Sequence, residues 1–156
     1  MNNKLMVYSP VNGEIIPVSQ IKDAVFQYEL FGRGVSISPS SNKILSPVAG
    51  VIESIAKEKH SIIIETAEGV KIWIYIGNDI VQLNGAFIKC FVEEKQHVEV
   101  GDALFDCDFY EMKEQGYHIE VSITVKEHKD IFEVIKMKDG TIKKKEPLAG
   151  ILFYHR

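Results

Sequence analysis

The 156-residue sequence predicts an all-β fold, an antiparallel β-sandwich or barrel built from repeated short strand units. Three observations carry that prediction. Turn-forming pairs recur along the chain, at Asn12-Gly13, Glu68-Gly69, Gly101-Asp102 and Asp139-Gly140, with apolar runs of strand length between them. No long stretch places apolar residues at the 3.6-residue spacing of an amphipathic helix. One unit also occurs twice: Ser9-Pro10-Val11-Asn12-Gly13-Glu14-Ile15 returns 37 residues later as Ser46-Pro47-Val48-Ala49-Gly50-Val51-Ile52.

Taken in order, each copy of that unit reads as a strand entered through a proline and bent at a glycine. Val18–Asp23 and Phe109–Glu114 read as single helical turns. Lys59–Ile64 and Val70–Ile76 form the arms of a central hairpin. Val98–Phe105 reads as strand, turn, strand, and Lys143-Lys144-Lys145 as a solvated turn. No linker or low-complexity tract divides the chain, so residues 1–156 are read as one domain.

The bulk chemistry narrows the function classes. A net charge of −4 and a pI near 5.7 argue against a general nucleic-acid footprint, which wants a basic face. No apolar run approaches the ~20 residues needed to cross a bilayer. The first eight residues are too short and mixed for a secretory signal, so a cytoplasmic location without membrane insertion is expected. Cys90 and Cys107 lack metal-ligand spacing and read as reduced thiols, buried or half-buried. There is no His-x-His pair, and no metal or cofactor is expected. Asp106 and Asp108 read as an acidic surface contact, and His97, His118, His128 and His155 as surface residues.

The central hairpin alternates strictly. Val70, Ile72, Ile74 and Ile76 make an aliphatic core face, while Lys71, Trp73 and Tyr75 point the other way. With Ala67-Glu68 as the turn, His60 lies across from Tyr75. With Glu68-Gly69 as the turn, Ile62 pairs with Tyr75 and His60 sits diagonal to it. Only an odd-length loop without a bulge would move His60 to the opposite face. In the first two registers His60, Ile62, Trp73 and Tyr75 form one cluster, an apolar patch around a lone imidazole that suits partner recognition. The competing reading packs the aromatics beneath a loop and leaves His60 at an edge.

The hairpin sequence, with Ser9–Val18, Asp23–Phe26 followed by Phe31–Pro39, Ser46–Gly50 and Val98–Asp102 in the same order, resembles the glucose-family IIA proteins of the bacterial sugar phosphotransferase system. The likeness covers roughly residues 8 to 108. It implies the antiparallel β-sandwich of that family, a duplicated hybrid motif. It also implies a place in phosphoryl relay, between the histidine-containing phosphocarrier protein and a membrane permease domain. In that family one histidine accepts the phosphoryl group and a second supports it. By position His60 matches the supporting histidine, and Tyr75 stands where the acceptor is found. Phe26, Leu30, Phe31 and Trp73 match the apolar docking surface, while Asp79 and Val81 match residues just beyond the acceptor. The chain departs from the family pattern at Glu58, where threonine is common, at Arg33, where an acidic residue is common, and at Asn78, Ile80 and Ala86.

A phenol with a pKa near 10 is a poor nucleophile at neutral pH without a base, and a phosphotyrosine ester is a poor onward donor. The resemblance therefore implies an acceptor-deficient IIA-like domain acting as a regulatory or protein-binding paralogue on the phosphocarrier protein, a permease domain or another regulated protein. The enzyme-class alternative makes His60 itself the phosphoryl acceptor. A third reading is a pocket for a small anion or metabolite, with His60 as its polar group.

Overall fold

The computed structural model describes residues 3–17, 34–58, 60–77, 86–126 and 128–154. Along them run β1 (Lys4–Tyr8), β2 (Gly13–Ile16), β3 (Gly34–Pro39), β4 (Lys43–Leu45), β5 (Gly50–Ile55), β6 (Ser61–Glu65) and β7 (Lys71–Ile76). These are followed by β8 (Ile88–Cys90), β9 (His97–Val98), β10 (Ala103–Cys107), α1 (Phe109–Glu114), β11 (Val121–Val125), β12 (Ile131–Lys136), β13 (Thr141–Ile142) and β14 (Pro147–Phe153). An eight-stranded sheet runs β13-β2-β3-β11-β7-β6-β5-β9, with two three-stranded sheets, β1-β14-β12 and β4-β10-β8. Every described pairing is antiparallel. The all-β sandwich expected from the turn spacing is the fold observed.

One apolar cluster joins the layers. Ile62, Ile64, Ile72, Ile74 and Ile76 from β6 and β7 meet Val35, Ile37, Val121, Ile123, Leu104 and Phe105 there. The strict alternation of β7 is realised, with Ile72, Ile74 and Ile76 fully buried. Phe109–Glu114 is the helical turn expected, capped by Asp108, whose carboxylate accepts the Glu111 N–H at 3.1 Å. The other turn expected to be helical, Val18–Asp23, lies outside the described residues.

The repeated Ser-Pro-Val unit is a structural duplication, with one correction to its reading. In both copies the segment after the serine is a bend, and the strand begins at the glycine instead of being entered through the proline and bent at the glycine. Proline removes a ladder donor, so the chain can pair only once past it. Each serine folds its hydroxyl onto the carbonyl two residues on: Ser9 Oγ donates to Val11 and Ser46 Oγ to Val48, both at 2.7 Å. The copies bond reciprocally, Tyr8 N–H to the Pro47 carbonyl at 3.0 Å and Leu45 N–H to the Pro10 carbonyl at 2.8 Å.

The relation extends further. Ser9 exchanges bonds with Lys145 and Glu146 as Ser46 does with Gly101 and Asp102. Likewise β13 caps β2 as β9 caps β5. Val98–Phe105 is indeed strand, turn, strand, but its arms enter different sheets, β9 pairing with β5 and β10 with β4 and β8. The lysine run is an exposed turn, as expected, in which Lys145 takes φ 71 where its counterpart Gly101 has 91.

Candidate functional site

The hairpin turn decides the site. Thr66 and Val70 face each other across Ala67-Glu68-Gly69: the Thr66 N–H donates to the Val70 carbonyl at 2.9 Å, and Gly69 N–H to the Thr66 carbonyl at 2.9 Å. Gly69 supplies the left-handed residue, at φ 83, that a three-residue hairpin loop requires. The loop is thus odd, and Ser61, not His60 or Ile62, stands opposite Tyr75, with Ile62 opposite Ile74 and Ile63 opposite Trp73. This corrects the placement of Ile62. Its side chain is fully buried in the core, and Ile63 takes its place beside Trp73.

His60 nevertheless meets Tyr75. Its carbonyl accepts the Ile76 N–H at 2.8 Å, which anchors its backbone to the end of β7. Because His60 precedes β6, its ring escapes strand alternation and sets edge-to-face on Tyr75, centroids 5.3 Å apart at 86°. Tyr75 in turn packs against Trp73 at 5.2 Å and 70°, and Lys126 Nζ lies 4.3 Å from the centroid of the Trp73 ring. Of the four residues read from the sequence as one cluster, His60, Trp73 and Tyr75 are therefore contiguous.

Behind the aromatics, in-register rows cross the sheet. Ser61, Tyr75, Ser122 and Ser36 form one row, and Ile63, Trp73 and Thr124 the next. Ser36 and Ser122 share a buried hydroxyl–hydroxyl hydrogen bond. Among the described residues, the buried side-chain atoms without a hydrogen-bond partner are His60 Nδ1 and Thr124 Oγ1. Glu58 Oε2 stands 3.9 Å from His60 Nδ1, beyond hydrogen-bonding range. Burial lowers the His60 pKa from its ordinary value and outweighs the opposing pull of the Glu58 charge, so the ring is neutral at neutral pH. An uncharged imidazole beside a phenol can offer a lone pair or accept a proton weakly, and it presents no positive charge to a phosphoryl group.

Phe26, Leu30, Phe31, Asp79 and Val81, matched to the docking surface and to the segment beyond the acceptor, lie outside the described residues. So do Arg33, Asn78, Ile80 and His155. The described residues contain no group of three or more His, Cys, Asp and Glu placed to hold a metal ion. No helix among them is long and apolar enough to cross a membrane. Cys107 is buried and Cys90 half-buried, both free thiols as read from their spacing.

The model of the phosphoenolpyruvate-dependent sugar phosphotransferase system EIIA 1 family matches residues 5–131. This chain belongs to that family. The IIA-like domain is 32% identical over 154 residues to the glucose-specific EIIA component of Buchnera aphidicola subsp. Acyrthosiphon pisum, spanning 99% of this chain and 94% of that protein. It is 37% identical over 123 residues, 79% of the chain, to the beta-glucoside-specific EIIBCA component of Halalkalibacterium halodurans (strain ATCC BAA-125 / DSM 18197 / FERM 7344 / JCM 9153 / C-125), of which it spans only 19%. The solved glucose permease IIA from Mycoplasma capricolum superposes with a TM-score of 0.85 at 32% identity, covering 96% of both chains. The IIA β-sandwich is therefore the fold of this domain.

Two features of the site face were missed in the sequence. Ser61 shares the Tyr75 row, which only the loop parity reveals. Glu120 stands one level on from that row, bonded to His118, which was read as a surface residue. The signal available was the His-x-Glu alternation leading straight into the apolar strand β11.

Proposed function

We propose that this glucose-type IIA-like domain engages phosphotransfer partners through the Trp73–Tyr75–His60 face without relaying phosphate through position 75, and so serves as a regulatory or protein-binding member of the system. The observation that carries this reading is the Tyr75 phenol packed on a half-buried, neutral His60. A phenol needs a base to become a nucleophile, and His60 is a titratable ring in contact with it. Even at reference values, moving the proton from phenol to imidazole costs roughly 5 kcal/mol, and burial of His60 raises that cost. The partners supported are the histidine-containing phosphocarrier protein and a permease domain or another regulated protein. Relatives named EIIBCA carry the matching region within the same chain as their B and C components.

A specific observation favours one second reading. Because burial keeps His60 uncharged, its ring retains a nucleophilic lone pair near neutral pH, the property an acceptor needs. One experiment separates the two. The native chain, His60→Ala and Tyr75→His are each incubated with phosphoenolpyruvate and the general phosphotransferase enzymes, and phosphate incorporation is followed. Label appearing in Tyr75→His, with no label at residue 60 or 75 of the native chain, is the expected result. Acid-labile label on the native chain that disappears in His60→Ala would replace the first reading by the second.

A further inference from the structure

We propose that His118, oriented by buried Glu120, is a phosphoryl-accepting imidazole of this chain, taking phosphoryl groups from N–P donors. The proposal rests on the family's phosphoryl chemistry but not on the docking role of Trp73. His118 Nε2–H donates to Glu120 Oε1 at 2.6 Å. An ionised carboxylate can only accept, so Nε2 carries a proton, and in the neutral form of the ring the Nδ1 lone pair is left for chemistry. The His118 side chain is 41% exposed while that of Glu120 is 9% exposed. The imidazole side chain thus reaches solvent while its orienting group is shielded from it. A carboxylate buried this far is costly without a hydrogen-bond donor, and the His118 ring N–H supplies one.

The pair stands at the site end of the sheet. Ile119, Val121, Ile123 and Val125 enter the core, so the opposite parity, Glu120, Ser122 and Thr124, shares the face of Tyr75 and Trp73. Ser122 is opposite Tyr75, and the Glu120 carbonyl accepts the Gly77 N–H at 2.6 Å, which fixes Glu120 one level further along. Diagonal neighbours of that kind lie roughly 7–8 Å apart.

The chain supplies its own control. His97 and Glu99 have the same spacing and also touch, at 3.2 Å, but there the side chains are 63% and 67% exposed. Solvent screens that pair and leaves the ring free to turn. The two dyads differ in burial of the carboxylate, and burial is what makes orientation and charge stabilisation effective.

In the step, the neutral His118 Nδ1 attacks phosphorus, a new N–P bond forms, and the donor N–P bond breaks. The donor nitrogen leaves as a neutral amine or imidazole, keeping the proton it already carries. The His118 ring becomes cationic with its Nε2 proton still on Glu120, whose negative charge stabilises it. No oxidant or further proton source is needed.

The test uses phosphoramidate, a small N–P donor that requires no docking surface, on the folded full chain. Residue-resolved mass spectrometry at neutral pH follows the rate at each histidine. His118 should label roughly tenfold faster than His97, the low end of what a partner hydrogen-bonded behind an imidazole supplies at metal sites. Glu120→Gln should lower the His118 rate toward that of His97 and leave His97 unchanged. Equal rates at His118 and His97 in the native chain would overturn the assignment, as would an unaltered His118 rate in a folded Glu120→Gln protein. If that variant does not fold, the native comparison decides. A second arm with phosphoenolpyruvate and the general enzymes identifies the source. Label at His118 there points to a protein phosphohistidine, label from phosphoramidate alone to a small-molecule donor, and either upholds the assignment. Label at residue 75 of Tyr75→His in the same arm reports docking separately, so a failure of partner engagement is not confused with an inert His118.

Discussion

Replacing Gly50 by alanine tests the duplicated frame that holds His60 in place. Gly50 opens β5, and a Cβ there would lie 2.4 Å from the Glu65 carbonyl oxygen and 2.9 Å from Ile64 Cγ2. The isoleucine methyl can move, but the carbonyl belongs to the backbone of the neighbouring strand, so relief requires β5 and β6 to part. Overpacking of this kind costs about 1–3 kcal/mol, and the unyielding carbonyl puts Gly50→Ala at the upper end. Stiffening the unfolded chain returns about 0.4–1 kcal/mol, leaving a net loss near 2 kcal/mol. With a urea slope of about 1–3 kcal/mol/M, the unfolding midpoint should fall by roughly 1 M. Trp73 is the sole tryptophan, so its fluorescence reports the transition from within the site. Gly13 is an independent replicate in the other copy, its Cβ position 2.1 Å from the Ser38 carbonyl oxygen. Gly13→Ala should destabilise at least as strongly. Midpoints of both variants within about 0.3 M of the native value, at unchanged slope, would refute the close-approach argument.

Other consequences are as direct. His60 has a folded pKa below its unfolded value of 6.5, so the unfolded chain takes up this proton first as pH falls. Its contribution to stability is therefore complete above that value and declines from there down through the folded pKa. Urea midpoints at about pH 7.5 and about pH 5.5 should differ less in His60→Gln than in the native chain. Desolvation first, and then the neighbouring Asp106 charge, drives the thiol pKa of buried Cys107 far above its ordinary value. Held protonated by that shift, Cys107 should resist a maleimide in the native state, while half-buried Cys90 reacts and both react after unfolding. Ile62→Ala should cost about 2–5 kcal/mol, because the side chain is fully buried, and Ile63→Ala, half-buried on the other face, markedly less. Equal urea midpoints for the two would contradict the register of β6 on β7.

What the sequence disclosed follows from which interactions are local. Strand alternation is a local property, so the core parity of β7 could be read from Val70–Ile76 without any partner strand. The helical turn at Phe109–Glu114 was legible because its cap, Asp108, lies within the same short segment. Register was not, since it depends on whether the hairpin loop holds two residues or three, and Glu68-Gly69 serves either length. One residue of loop moved Ile62 from the site to the core and brought Ser61 level with Tyr75. The contact of His60 with Tyr75 survived that shift because His60 sits outside the strand, free of the parity that governs its neighbours. The His-x-Glu spacing of His118 and Glu120 was visible but could not single that pair out. His97–Glu99 has the same spacing, and only the tertiary burial of one carboxylate tells the two apart.

The division of parity also explains how the IIA frame can carry different residues on its site face. In β6, β7 and β11 the residues that fill the core are Ile62, Ile64, Ile72, Ile74, Ile76, Val121, Ile123 and Val125. Those that make the site face are Ser61, Ile63, Trp73, Tyr75, Ser122 and Thr124. The two sets alternate along the same strands but share no side-chain volume, so exchange at one parity leaves the other packed. Tyr75→His removes a half-buried ring from the site face and takes nothing from the core. It should therefore cost less than the roughly 3–5 kcal/mol of deleting a core aromatic, and leave the protein folded. An imidazole at position 75 is thus a change the frame can accept. A Tyr75→His protein that unfolded as readily as Ile74→Ala would show that the site face carries the fold as well, and the separation of frame from chemistry would fail.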